Sequence, residues 1–143
     1  MDYFSAFAIS ASGMSVEKMR LDVTALNLAN VHSTRGASGQ LYQPLTVIST
    51  AKPGAFAAAM TQAGNASLGA QVTEVRATLT PPRLTYEPSH PDADAKGFVA
   101  YPAINPVNEM ITMMTATRAY EANVAALNAA RVMAMKALEI GGN

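Results

Sequence analysis

His90, Asp92 and Asp94 place an imidazole and two carboxylates close together, the donor types that hold calcium or zinc. The surrounding run His90-Pro91-Asp92-Ala93-Asp94-Ala95-Lys96-Gly97 lacks the glutamate and the full ligand spacing of a calcium loop, and no second histidine is near. A turn in which the aspartates bond their own backbone is the favoured reading. His32-Ser33 could be imagined as a base beside a nucleophile. A catalytic triad, however, needs side chains converging from separate elements and an oxyanion hole, and no G-x-S-x-G elbow occurs. Neither the phosphate-cradling G-x-x-x-x-G-K-[ST] loop nor the dinucleotide G-x-G-x-x-G turn is present. The expectation is a chain with no catalytic, metal-binding or cofactor-binding residues, and not an enzyme.

What, then, do the elements position? All eight prolines lie between Pro44 and Pro106. Proline interrupts helices and tolerates loops and strand edges, so the chain reads as helix, irregular β segment, helix. The expected divisions are an N-terminal helix in 1–31, a β-rich middle in 32–105 and a C-terminal helix in 106–143. Strand character falls at Leu41–Ser49, Val72–Leu79, Arg83–Glu87 and Gly97–Tyr101, and Ala51–Ser67 reads as a loop. Thr73, Val75, Ala77 and Leu79 alternate with Glu74, Arg76 and Thr78, the pattern of a half-buried strand.

Along the first helix Phe7, Met14, Leu21 and Leu28 recur at every seventh position, and Ile9, Val16 and Val23 form a second line on a nearly opposite face, with Met19 and Leu26 between. Only Ser10, Gly13, Glu17, Arg20 and Thr24 make a continuous polar stripe, so the apolar surface is wider than one core requires. The second helix opens on Asn105-Pro106, a cap residue before a first-turn proline, and ends at Gly141. Met113, Tyr120, Val124, Leu127 and Leu138 form its seam, joined by the gap-filling Met110. Ala119, Ala122, Ala126, Ala129, Ala130 and Ala137 form a small-residue face, and Arg118, Glu121, Asn128, Lys136 and Glu139 a polar side. These apolar and alanine positions are the expected helix-packing and subunit-interface residues. The fold class is α+β: two long terminal helices paired as a coiled-coil-like rod, with a small β-rich middle segment.

Composition agrees with an interface-rich chain. The 143 residues are 50% hydrophobic and 14% charged, against about 25% charged in typical soluble domains. Ten basic and ten acidic residues cancel without forming blocks, which argues against nucleic acid and anionic membranes as partners. Cysteine is absent, and so is any run of the ~18 apolar residues that a membrane span needs. The first residues carry no cationic leader pattern.

Two motifs go further. Ala25-Leu26-Asn27-Leu28-Ala29-Asn30 resembles the A-x-N-[IL]-A-N signature of bacterial flagellar axial proteins, the basal-body rod and hook family. Glu109-Met110-Ile111 and Arg118-Ala119-Tyr120-Glu121-Ala122-Asn123 resemble that family's second signature at the other terminus. The resemblance therefore rests on Asn27, Ala29, Asn30, Glu109, Met110, Arg118, Tyr120, Glu121 and Asn123. The longer Val31–Ala37 linker and the stretch from Tyr86 through Pro88, His90, Pro91, Asp94 and Gly97 to Pro102 resemble the family's proximal-rod members. Such membership implies a structural subunit of the rod that carries torque across the periplasm. Its implied partners are further copies of itself, other rod proteins and the flagellar type III export apparatus, with export needing no cleavable signal. Another rod or hook member, or a free-standing helical adaptor, is the alternative.

Overall fold

The structure is a computed structural model that describes residues 3–35, 39–53 and 67–141. Asn105 starts the longer helix: its Oδ1 accepts from the backbone N–H of Val107 (3.0 Å) and Asn108 (3.4 Å), and its C=O accepts from Glu109 N–H. Proline at the next position loses nothing there, because its N–H would have no helical partner. Helix α2 then runs Pro106–Gly141, 36 residues or roughly 54 Å at 1.5 Å per residue. Helix α1 spans Tyr3–Ala29 and is closed by Asn30, whose Nδ2 donates to Leu26 C=O at 2.8 Å. No described helix is long and apolar enough to cross a membrane.

The helices pack side by side and antiparallel, with Gly13 facing Asn123 near the middle and Asn27 facing Glu109 at one end. Among the described residues between them lie four strands in two separate antiparallel pairs: β1 (Leu45–Pro53) with β2 (Ser67–Ala77), and β3 (Arg83–Tyr86) with β4 (Phe98–Tyr101). The architecture is α+β.

The first hairpin corrects the sequence expectations in two ways. β1 begins at Leu45 rather than Leu41 and continues to Pro53, and β2 begins at Ser67, so both ends of the expected Ala51–Ser67 loop are strand and its remainder, 54–66, lies outside the described residues. Cross-strand pairing carries this extension past the weak strand propensity of Ala51, helped by hydroxyl contacts Thr50–Thr73 (2.8 Å) and Thr46–Thr78 (3.1 Å). Second, β2 ends at Ala77 rather than Leu79, and the expected half-buried face is exposed: Val75 is 40% accessible, and Leu79, beyond the strand, 87%. A two-stranded sheet has a buried face only where something covers it, and α1 reaches β2 near Ser12, away from Val75.

That crossing is close. Ser12 Oγ accepts from Ala70 N–H at 3.0 Å and donates to Ile9 C=O. Gly69, with φ 113°, leaves the space the hydroxyl occupies. Around the β3–β4 hairpin Val99 and Pro102 are fully buried and Tyr101 and Ile104 nearly so, as is Val31 after α1. His32 against the Tyr101 ring and Arg35 on Asp92 tie the short segment after α1 to this region.

Gly69→Ala is expected to lose about 2 kcal/mol or more of stability in urea unfolding, since its Cβ would both occupy a left-handed backbone and collide with Ser12 Oγ. Gly39→Ala, at φ 76° with nothing within 4 Å, should lose about half as much.

Candidate assembly surface and its polar clamp

Asn27 stands near the end of α1, 3% accessible, and every hydrogen-bonding position of its side chain is used. Nδ2 donates to Leu45 C=O (2.9 Å) and to Glu109 Oε2 (3.2 Å); Oδ1 accepts from Leu45 N–H (2.9 Å) and from the Tyr42 hydroxyl (2.9 Å). One carboxamide thus joins α1, the root of the β1–β2 hairpin and the first turn of α2. It presents to Leu45 the donor and acceptor that a neighbouring strand would present. Burial, and then the Glu109 carboxylate, raise the Tyr42 pKa above its ordinary 10.0, so the hydroxyl keeps the proton it donates.

The remainder of the buried side of α1 mixes polar and small residues with Val16 and Val23. Ser10 (8%), Thr24 (3%) and Gly13 lie on the inner side of α1, and the Asn123 amide, anchored to Ala119 C=O at 3.0 Å, lies over Gly13. The polar stripe of Ser10, Gly13, Glu17, Arg20 and Thr24 therefore does not form a solvent face. It is turned largely toward the molecule's own elements, where small side chains permit close approach and amides satisfy one another.

The expected interface residues divide accordingly. Val16, Val23 and Ala130 are buried, and Phe7, Met14, Leu21, Leu28, Met113, Ala119, Val124 and Leu127 are half-buried. Ile9, Met19, Leu26, Met110, Tyr120, Leu138, Ala122 and Ala126 are exposed. Ile111, Met114, Val132, Met133, Met135 and Ile140 add to the uncovered apolar surface. Of the motif residues, Asn27 and Glu109 meet each other, Asn30 caps α1, Asn123 covers Gly13, Arg118 and Glu121 form an exposed ion pair at 3.2 Å, and Ala29 faces out. Sequence reasoning did not find Tyr42, Leu45, Ser12 or the fully buried Ala116; an asparagine and a glycine inside a helix were the available signals.

A cavity of about 160 Å³ opens beside the clamp, between Arg20 and Thr24 of α1, Thr46 and Val47 of β1, and Glu109 and Thr112 of α2. Arg20 Nε is buried against it. Glu17 Oε2 is 3.3 Å away, near enough for charge attraction, yet Nε has no hydrogen-bond partner among the described residues.

The His90, Asp92 and Asp94 side chains are engaged within the chain. Asp94 Oδ1 accepts from the backbone of Lys96 and Phe98 (both 2.8 Å), and Asp92 takes the Arg35 guanidinium at 2.7 Å and the Thr34 hydroxyl at 2.7 Å. His90 Nδ1 accepts from Asp92 N–H. Among the described residues no three metal-ligating side chains of the His, Cys, Asp and Glu types converge. His32 and His90 instead approach the Tyr101 ring edge-on, and Tyr101 donates to Glu87.

Comparison with known proteins agrees with the two sequence signatures. The model of the family described as flagellar basal body rod FlgEFG protein C-terminal matches residues 95–140. The flagellar basal-body rod protein FlgC of Bacillus subtilis is 38% identical over 149 aligned positions, covering 99% of both chains. The protein of that name from Escherichia coli O6:H1 is 38% identical with 99% coverage of each, and that of Borreliella burgdorferi 33% with 98%.

Asn27→Ala is expected to cost about 3 kcal/mol in urea unfolding, because it leaves the Leu45 backbone and the Tyr42 hydroxyl unpaired. Asn27→Asp should also destabilise, through loss of both donors and repulsion from Glu109. Since the Tyr42 pKa is raised on folding, its contribution is fully present below the unfolded value near 10.0 and is lost as pH rises through the folded value. Alkaline unfolding curves should show that decline in the native chain and a shallower one in Tyr42→Phe.

Proposed function

The chain belongs to the FlgC family of flagellar basal-body rod proteins, and we propose that it serves as a proximal-rod subunit, stacking helically with copies of itself and with other rod proteins to transmit torque. It is a structural subunit of the basal-body rod. The observation that carries the reading is the apolar surface that the helix pair leaves uncovered: the inner side takes Ser10, Thr24 and Asn27 together with Val16 and Val23, while Ile9, Met19 and Leu26 on α1 and Met110, Ile111 and Met114 on α2 are exposed. A free-standing domain buries such residues; a subunit of a continuous assembly buries them between copies.

In this reading the two helices form a coiled-coil-like pair in the inner part of the rod, with 1–31 and 106–143 as one helical unit and 32–105 projecting outside it. The exposed alanines of α2, Ala122 and Ala126 among them, allow a neighbouring helix to approach closely. The low charge density suits surfaces that end up covered on several sides. Delivery through the flagellar type III export apparatus, without a cleavable signal, and a final place in the periplasmic rod belong to the same proposal. The work is mechanical, and no chemistry is assigned to any residue.

Mass spectrometry of detergent-purified basal bodies should find this chain in the rod, and a deletion strain should yield bodies that lack distal rod and hook. Intact bodies without the chain would overturn the assignment. Ala126→Arg should leave the thermal unfolding of the isolated chain nearly unchanged, because the site is exposed, yet abolish swimming by placing a charge in a packed contact.

A further inference from the structure

The cavity beside the clamp is bounded by groups that lack partners. Leu45 gives its N–H and C=O to Asn27, so it occupies a position whose backbone groups point away from β2. By the alternation of an antiparallel pair, Val47 directs its N–H and C=O to that same edge, since the register is regular from Leu45 through Ile48. Val47 lines the cavity, and no described side chain bonds its backbone. Arg20 Nε adds a buried donor that is ion-paired with Glu17 but not hydrogen-bonded among the described residues, and Glu109 has committed only one carboxylate oxygen, Oε2, to Asn27.

We propose that this cavity is a socket for a carboxamide side chain, asparagine or glutamine, presented by a neighbouring rod subunit; the inference rests on the rod reading above. Charge selects the occupant. Arg20 is balanced by Glu17, and Glu109 leaves a negative excess, so a carboxylate is repelled. An ammonium group satisfies Glu109 but offers no acceptor to Arg20 Nε or to Val47 N–H. A neutral carboxamide supplies both kinds of group, as Asn27 already does one step along the same strand edge.

Size excludes an added strand: about 160 Å³ admits the end of one side chain with water, not a length of backbone. The exposed apolar side chains of the two helices that bound the cavity indicate why the side chain belongs to a macromolecule. Leu26 and Met19 on α1 and Met110 and Ile111 on α2 are side chains that a protein surface would cover. Covering them excludes water from the socket and strengthens the hydrogen bonds inside it.

The test uses assembled basal bodies. A photoreactive residue at Thr46, which is exposed at the cavity mouth, should crosslink to a second polypeptide on irradiation. Thr112→Gln, which fills the socket with the chain's own carboxamide, should lower incorporation into basal bodies at least tenfold, with helix content and unfolding midpoint preserved. Thr112→Ser should incorporate normally. Normal incorporation of Thr112→Gln, or a crosslink confined to this chain's own residues in bodies that contain it, would mean that the cavity holds water only and would overturn the socket while leaving the rod reading intact. Absence of the wild-type chain from basal bodies would overturn both.

Discussion

A single buried carboxamide holds the elements of this protein in register. Only an amide offers two donors and two acceptors in one planar group, and Asn27 uses all four to connect α1, the hairpin root and α2. The nearby geometry follows. Leu45 becomes the first residue of β1 because its backbone is already paired on the side away from β2, and Glu109 is held at the first turn of α2, where a carboxylate also favours the helix N-terminus. Tyr42 closes the arrangement, and its proton is secured by burial and by Glu109. Ser12 repeats the device on a smaller scale at the other hairpin contact, bonding Ala70 across the space that Gly69 leaves.

The choice of polar groups for the inside governs the outside. Amides, hydroxyls and glycine allow two helices to meet closely, but they use little of the apolar side-chain surface that the sequence carries. Beyond the buried Val16 and Val23 and the half-buried seam residues, that surface remains on the outer faces, where the uncovered methionines, leucines and isoleucines lie. Membership in a rod family supplies the setting in which such a distribution is stable, because neighbouring subunits take the place of an interior.

Sequence reading located the helices well, since Asn105-Pro106 and the confinement of proline to the middle are local signals. It did not tell inside from outside. Apolar lines on two faces of α1 leave the direction of the partner open, and hydropathy alone points away from a stripe such as Ser10, Gly13 and Thr24 that owes its burial to close packing and hydrogen bonding. Asn27 stood out as part of a motif, but its role depends on Tyr42 and Leu45 at the hairpin root and on Glu109 in α2, two other parts of the chain. The alternation of Thr73, Val75 and Ala77 described a real strand without specifying a layer to cover it; Val75 remains exposed, and Leu79 lies beyond the strand's end.

The polar helix contact also has a mechanical meaning. Apolar surfaces slide over one another at little cost, because dispersion and burial scarcely depend on direction, whereas hydrogen bonds weaken steeply as their angle departs from linear. A twist applied across the pair is therefore resisted within each molecule by the Asn27 bonds. In the proposed rod, the apolar outer faces would meet the same load with contacts that depend less on direction. Stiffness then resides chiefly inside the part, as suits a shaft assembled from separate pieces.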